Sequence, residues 1–313
     1  MSEMTEKKGV VASLEELVES RSDASRIVRP PAGAARQALA GPYLSAFRGG
    51  GIEFDEVRAY QAGDDVRSID WRVTARTGRP HSRVFREERE RPVWLSVDMA
   101  PEMHFGTRRA FKSVVAARVA AMLGWSARDG GDRVGALVRS ASGTRVHAPK
   151  GTYGRFFSLL TNLADASAEH SGAAADSFDA TLQRLAARAR SGCRAYVLSD
   201  FAELGDVGRA CLSRLARQTD LTCLWIYDGL EAEPPPPGEY RVTNGREACR
   251  VVTSNRARRE AWTHDFTARA RALVEFCQSH RIALLPLRTD QDPLDVLVDP
   301  GFTPRLPLRR RVH

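Results

Sequence analysis

The fold is decided by the stretch Pro92-Val-Trp-Leu-Ser-Val-Asp98, a continuous apolar run that ends in an acid. A strand that is buried on both faces of a parallel sheet has this pattern, because helices cover it from both sides. A second stretch of the same kind, Cys193-Arg-Ala-Tyr-Val-Leu-Ser-Asp200, occurs later in the chain. The two stretches together predict an open sheet with an acidic side chain at the end of each of two strands.

Helical and extended patterns alternate along the rest of the chain. The predicted helices lie at 107–129, 153–163, 178–190, 205–217 and 256–280, and further strands at 133–139, 144–148, 221–228 and 282–287. Such alternation with short connections predicts an α/β fold with an open, mainly parallel, doubly wound sheet. A proline-rich break and an Asn244-Gly245 turn predict a β-hairpin insertion at about 231–253.

The segment before the first strand, residues 49–91, is rich in arginine and acids with aromatic residues between them. No helical period is visible in it, so the pattern favours short extended pieces and turns. Arginine can hold a carboxylate with two hydrogen bonds while its planar group stacks on a ring. We therefore expect a structural network of ion pairs here, with Trp71 as an anchor in a hydrophobic layer.

The motifs Gly63-Asp-Asp-x-Arg67-x-x-Asp70-Trp71, Ala75-Arg-Thr-Gly78 and Glu87-Glu-Arg-Glu90 resemble the signature of the bacterial "domain of unknown function 58" family. The resemblance runs from about Gly49 to the C-terminus. It implies a von Willebrand factor A-like domain over residues 92–313, preceded by the signature segment 49–91 and an N-terminal helical appendage over 1–48. The signature residues expected in the ion network are Arg58, Tyr60, Gly63, Asp64, Asp65, Arg67, Asp70, Trp71, Arg76, Glu88 and Arg89.

The resemblance also implies a function. Members of this family are similar to accessory proteins of MoxR-type AAA+ ATPases, which act in assembly, chaperoning or metal insertion. The expected protein is therefore a non-enzymatic interaction module whose partner is a MoxR-type ATPase or another protein with a von Willebrand A domain.

Von Willebrand A-like folds carry a metal-ion-dependent adhesion site at the ends of the two central strands. It uses Asp-x-Ser-x-Ser on the first strand, a threonine from a middle loop and an aspartate on the second strand. Here the first motif is Asp98-Met-Ala-Pro-Glu102, so alanine replaces one serine and glutamate the other. The degenerate site expected from the resemblance is Asp98, Glu102 and Asp200, with Ser177 in place of the threonine, and the ion is Mg²⁺ or another divalent cation.

Two other interpretations of the acids stay open. In the first, the metal site has decayed, and backbone N–H groups or arginines form hydrogen bonds with the carboxylates. In the second, the acids belong to a metal-dependent phosphoesterase, which would require further metal ligands. No catalytic residue is assigned. His81 and His104 lack a nucleophile at a readable spacing, and the acids of the signature segment lie close to arginines, which favours a structural ion network.

The composition limits the remaining classes. The net charge is +8, with 42% hydrophobic and 27% charged residues. The purely basic runs, Arg256-Ala-Arg-Arg259 and Arg309-Arg-Arg311, lack interleaved aromatics and are typical of a solvated helix face and a tail. A nucleic-acid-binding accessory protein is therefore only an alternative. No run is long enough for a membrane span and the N-terminus is polar, so the expected location is the cytoplasm.

Overall fold

The computed structural model describes residues 9–27, 52–60, 69, 71–87, 91–169, 174–243 and 248–298. The described residues divide into two compact units, 9–27 with 91–298 and, separately, 52–87. In chain order the strands are β1 (Ile52–Ala59), β2 (His81–Glu87), β3 (Pro92–Asp98), β4 (Arg133–Ser140), β5 (Gly143–His147), β6 (Arg194–Ser199), β7 (Asp220–Tyr227), β8 (Glu239–Thr243), β9 (Ala248–Val252) and β10 (Ala283–Arg288). The helices are α1 (Leu14–Glu19), α2 (Arg21–Ala24), α3 (Trp71–Thr77), α4 (Lys112–Asp129), α5 (Tyr153–Ala168), α6 (Phe178–Arg188), α7 (Asp206–Gln218), α8 (Gly229–Ala232), α9 (Arg256–Ser279) and α10 (Pro293–Val298).

The larger unit is built on one six-stranded sheet with the order β10-β7-β6-β3-β4-β5. Its strands are parallel except for β5, which runs antiparallel to β4 at one edge. The first strand of this sheet, β3, pairs with β4 on one side and with β6 on the other, so the strand order reverses there. The architecture is therefore the von Willebrand factor A-like α/β fold that the resemblance implied.

The apolar run of β3 is buried because its alternate side chains enter two separate cores. Val93, Leu95 and Val97 belong to a core that α4 and α5 complete, and all three are at most 1% exposed. Trp94 points to the other face and packs in the core formed with α6, α7 and α9. Two covered faces explain why the strand contains no polar alternation.

The N-terminal appendage is described only over residues 9–27, where it adds a layer on α4 and α5. Ser13 caps α1 by accepting a hydrogen bond from the Glu16 N–H (3.2 Å), as a capping box predicts. The Glu16 carboxylate forms an ion pair with Arg118. Leu17 is fully buried, and its carbonyl accepts a hydrogen bond from the Trp125 indole (2.9 Å). The element predicted at 35–48 lies outside the described residues.

The smaller unit corrects two predictions for the signature segment. Strands β1 and β2 pair antiparallel as extended pieces, but α3 is a helix that the sequence pattern did not predict. It ends at Gly78, which has a φ of +71°, and is too short for a 3.6-residue period to be visible. Trp71 is 67% exposed and so is not a buried anchor. Val73, on the same helix, is half-buried. It lies about 200° around the helix axis from Trp71, so the indole of Trp71 is on the face of α3 opposite to Val73.

The hairpin insertion consists of β8 and β9, while its predicted turn at 244–245 lies outside the described residues. Among the helices of the described ranges, none combines the length and apolar composition that crossing a bilayer requires.

Candidate functional site

The candidate site lies at the carboxyl edge of the sheet, where β3 and β6 end side by side. Asp98 ends β3 and is 5% exposed. Its Oδ1 accepts hydrogen bonds from Arg139 Nη1 (3.0 Å) and the Ala100 N–H (3.2 Å), and its Oδ2 accepts one from Ser199 Oγ (2.8 Å). Burial raises the pKa of Asp98 to about 6, with a further upward contribution from Asp200, against the lowering effects of Arg139 and Ser199.

Arg139 places a positive charge against this carboxylate. It is opposite Asp98 in the β3–β4 register, and its side chain is 3% exposed. Its Nε donates to the Asp176 carbonyl (2.9 Å) and its Nη2 to Glu203 Oε2 (2.5 Å). The guanidinium therefore ties the end of β3 to the loop before α6 and to the turn after β6.

A second buried cation, Lys112, holds the other strand-end acid. Its Nζ lies 2.6 Å from Asp200 Oδ2 and 2.8 Å from Glu231 Oε1, and its side chain is 3% exposed. Burial alone would lower the pKa of Lys112, but attraction to Asp200 and Glu231 outweighs it and the net pKa is raised. The ammonium group is thus held in its charged form between two acids.

The loop before α4 determines where Lys112 lies. The sequence predicted a helix from Thr107, but the helix begins only at Lys112, whose N–H donates to the Phe105 carbonyl (2.8 Å). A Cβ on Gly106 would lie 2.1 Å from the Ala110 carbonyl oxygen, so this close turn requires glycine. The late start brings Lys112, at the first turn of α4, to the ends of β6 and β7.

Asp228 is a third strand-end acid that the sequence analysis did not select. It is 1% exposed and accepts hydrogen bonds from Thr107 N (3.0 Å), Thr107 Oγ1 (2.6 Å), Leu230 N (2.9 Å) and Thr289 Oγ1 (2.5 Å). Burial would raise its pKa, but these hydrogen bonds, led by those from Thr107 and Thr289, lower it. It also forms a capping box with Glu231, which is bound to Lys112. The available signal was the acid at the end of the apolar run 221–228.

The other two predicted metal ligands do not join this network. Glu102 is exposed in the short 3₁₀ turn Pro101–Met103. Ser177 caps α6, where its Oγ accepts a hydrogen bond from the Ala180 N–H (3.2 Å). The structure therefore brings Asp98 and Asp200 to one edge without placing Glu102 or Ser177 as ligands.

The residues present do not fit a divalent cation in this arrangement. Both oxygens of Asp98 are already bonded, Asp200 Oδ2 is on the Lys112 ammonium, and Ala100 has no side-chain oxygen. Within the described ranges, no group of three or more histidine, cysteine or acidic residues could hold a metal ion. Arg139 and Lys112 supply positive charge at the two strand ends where the sequence predicted an ion.

The signature residues fall mostly outside what the structure describes. The Tyr60 N–H donates to the Pro80 carbonyl (2.9 Å), and Trp71 and Arg76 are exposed on α3. For Arg58 the structure describes only the backbone, in β1. The remaining signature residues, Gly63, Asp64, Asp65, Arg67, Asp70, Glu88 and Arg89, lie outside the described residues, so the ion network stays a prediction.

Comparison with known proteins identifies a family and relatives that match most of this chain. The family model "Protein of unknown function DUF58" matches residues 56–272. Uncharacterized proteins of Mycobacterium tuberculosis and Mycobacterium bovis are each 33% identical over 265 residues, covering 83% of this chain and 82% of the relative.

Solved structures with a similar course of the chain include three proteins. The conserved hypothetical protein BatB from Bacteroides thetaiotaomicron has a TM-score of 0.37 at 15% identity, covering 61% of this chain and 98% of BatB. An aerotolerance-related membrane protein from Bacteroides fragilis has a TM-score of 0.39 at 16% identity, covering 66% and 93%. The SpRpn10 VWA domain has a TM-score of 0.35 at 12% identity, covering 66% and 93%.

Proposed function

Because this chain belongs to the DUF58 family and folds as a von Willebrand factor A-like domain, we propose that it is a non-enzymatic protein-interaction module. Its docking face is the carboxyl edge of the sheet. The observation that carries the proposal is the pairing of the strand-end acids Asp98 and Asp200 with Arg139 and Lys112. Carboxylates whose oxygens are already bonded to buried cations offer few free oxygens to an ion that would activate water.

The partner that the family resemblance implies is a MoxR-type AAA+ ATPase or another protein with a von Willebrand A domain, in assembly, chaperoning or metal insertion. The net charge of +8 favours a partner whose docking surface is acidic. Complementary charge of this kind raises the rate of encounter and depends on salt.

Capture of a MoxR-type ATPase by the tagged full chain, at low and physiological salt, tests the partner. Arg108→Glu reverses an exposed charge in the loop that follows β3, at the carboxyl edge. Arg190→Glu makes the same change in the exposed loop before β6, at the amino edge, and is the matched control. We expect capture to weaken with Arg108→Glu and to persist with Arg190→Glu. Equal capture by both variants would remove the carboxyl edge as the docking face, and no capture by the unaltered chain would remove this partner.

An activity screen with phosphate esters and Mg²⁺ or Mn²⁺ tests the non-enzymatic part of the proposal. We expect no turnover. Turnover that disappears with Asp98→Asn or Asp200→Asn would show that the strand-end acids are catalytic and would overturn the proposal.

A further inference from the structure

A small pocket opens beside Asp200, between β7, the turn after β6 and α9. Its volume is about 140 Å³. Three rings of the apolar core form its floor: the centroid of Trp225 lies 4.9 Å from that of Tyr227 and 5.6 Å from that of Phe266. The lining is therefore aromatic at the base, next to the charged network of the strand ends.

The turn that forms one wall is held in an uncommon conformation. Phe201 has a φ of 55°, in the left-handed region that residues other than glycine rarely adopt. Its N–H donates to Ser199 Oγ (3.0 Å), which in turn donates to Asp98, and its ring packs edge-on against Phe178. Strain of this kind persists only where the surroundings impose it, and it concentrates at binding sites. The pocket is thus preformed by the same network that pairs the strand-end acids.

The pocket volume sets the size of what it can hold. A cavity of about 150 Å³ lined by apolar side chains accepts one benzene molecule. A pocket of about 140 Å³ with an aromatic floor therefore matches one aromatic ring or one leucine side chain. It is too small for a nucleotide or a drug-sized ligand, whose pockets begin at roughly 300 Å³.

The charged residues at the rim determine which groups can lie around an aromatic or leucine side chain bound in the pocket. Arg209, half-buried over the Phe276 ring at 5.3 Å, and Arg269, exposed on α9, both line the pocket. Within the described residues neither is ion-paired, whereas the two acids that also line the pocket, Asp200 and Glu231, share the Lys112 ammonium. The rim therefore has two guanidinium groups available for carboxylates.

We propose that this pocket binds one aromatic or leucine side chain of an acidic segment of a partner protein, whose neighbouring carboxylates pair with Arg209 and Arg269. The proposal rests on the interaction function above and names the chemistry that the partner presents. A buried apolar anchor in a well-packed pocket, with surrounding contacts that exclude water, is the common organisation of an interface hot spot. Guanidinium groups suit this role because they hold carboxylates with paired hydrogen bonds.

A random dodecapeptide phage library selected on the full chain provides the first test. Ala272→Trp, an exposed change at the rim on α9, fills the mouth of the pocket and leaves the core unaltered. We expect the unaltered chain to enrich peptides with a single aromatic or leucine residue among several carboxylates, and the Ala272→Trp chain not to enrich them. Enrichment of the same peptides by both chains, or of no such peptides by either, would overturn the proposal.

Fluorescence anisotropy with the most enriched peptide tests the rim. Arg269→Glu should weaken binding about tenfold, because it places a carboxylate against those of the peptide. Arg271→Glu makes the same exposed change on α9 away from the pocket, and we expect an unaltered affinity. Replacing the aromatic residue of the peptide with serine should abolish binding. Equal effects of the two arginine variants, or equal binding of the serine peptide, would contradict the assignment.

The outcomes separate this proposal from the proposed function. If Arg108→Glu abolishes capture of the ATPase, while the Ala272→Trp and Arg269→Glu chains still capture it, the docking face is supported and the pocket assignment is wrong. If the peptides behave as expected and no ATPase is captured, the pocket stands and the partner is a different protein. Self-association in sedimentation that Ala272→Trp abolishes would assign the pocket to a second copy of this chain and overturn the proposal.

Discussion

The guanidinium of Arg139 and the carboxylate of Asp98 form an ion pair, 3.0 Å between Nη1 and Oδ1, in which the two side chains are only 3% and 5% exposed. The pair joins the ends of two adjacent parallel strands. A cation built into the chain therefore lies at the strand ends where the sequence predicted a metal ion. Because the pair is buried, replacing either residue alone leaves an uncompensated buried charge and should lower the stability of the folded chain.

Replacing Arg139 with methionine should lower the free energy of unfolding by about 3–5 kcal/mol at neutral pH, because it leaves the Asp98 carboxylate buried without its cation. Urea denaturation measures the change. Adding Asp98→Asn to this variant should recover part of the loss, since a neutral amide costs less to bury. An Arg139→Met protein with the stability of the unaltered chain would contradict the structural role of the pair.

The pKa of Asp98 predicts an unusual pH dependence. Its pKa is about 6 in the folded chain against an ordinary 3.8, so between these values the folded state binds more protons than the unfolded state. The contribution of this group to stability therefore grows as pH falls through that window, by on the order of 3 kcal/mol. The measurement is the difference in unfolding free energy between the unaltered chain and Asp98→Asn across the window. A difference that does not change with pH would refute the raised pKa.

Asp176 should behave in the opposite way. Its carboxylate accepts hydrogen bonds from both terminal nitrogens of Arg184 (2.7 and 2.9 Å) and from the Thr144 N–H (2.7 Å), which together lower its pKa to about 2. The ionised carboxylate of Asp176 therefore stabilises the folded state at pH values above its ordinary pKa of 3.8. This stabilisation is lost as the pH falls toward 2. We expect Arg184→Gln to raise the pKa of Asp176 toward 3.8 in a carboxyl-carbon NMR titration. An unmoved titration midpoint would show that Arg184 is not the main cause.

Alanine at Gly208 should destabilise the chain, although the residue lies in α7. A Cβ there would lie 2.3 Å from Asp179 Oδ1 and 2.8 Å from a Leu204 methyl carbon. The nearest atom, Asp179 Oδ1, accepts a hydrogen bond from the Gly205 N–H (3.1 Å), so it cannot move away without losing that bond. We expect Gly208→Ala to destabilise the chain by about 1–3 kcal/mol through overpacking. Gly154→Ala in α5 is the control, because a Cβ there meets no atom within 4 Å and should be neutral or stabilising. Equal thermal midpoints of the two variants would contradict the close packing of α6 and α7.

Mg²⁺ should leave the thermal midpoint unchanged. The oxygens that would bind the ion are held by Arg139, Ser199 and Lys112, and displacing buried cations from them is costly. Differential scanning calorimetry with and without Mg²⁺ measures this. A rise in midpoint with Mg²⁺ that Asp98→Asn abolishes would establish the metal site predicted from the sequence.

Some of this architecture could be predicted because its signals are local. The strand runs 92–98 and 221–228 were predicted within a residue of β3 and β7, since continuous apolar residues mark a strand buried on both faces. The helix α3 was missed because two turns are too short for a visible period, and the start of α4 was misplaced because the Gly106 turn depends on contacts with Ala110.

By itself, the sequence determined the layered α/β fold and the acids that end its strands. The spacing of hydrophobic residues and the position of an acid after an apolar run depend only on residues that are close together in the chain. Only the tertiary structure decided which charges meet. Lys112 and Asp200 are 88 residues apart and Asp98 and Arg139 are 41 apart, and they pair because of strand order and the path of the loop before α4. Of the four metal ligands expected from the sequence, Asp98 and Asp200 form ion pairs with buried cations, Glu102 is exposed and Ser177 caps α6. Side-chain cations therefore occupy oxygens that a free ion would need.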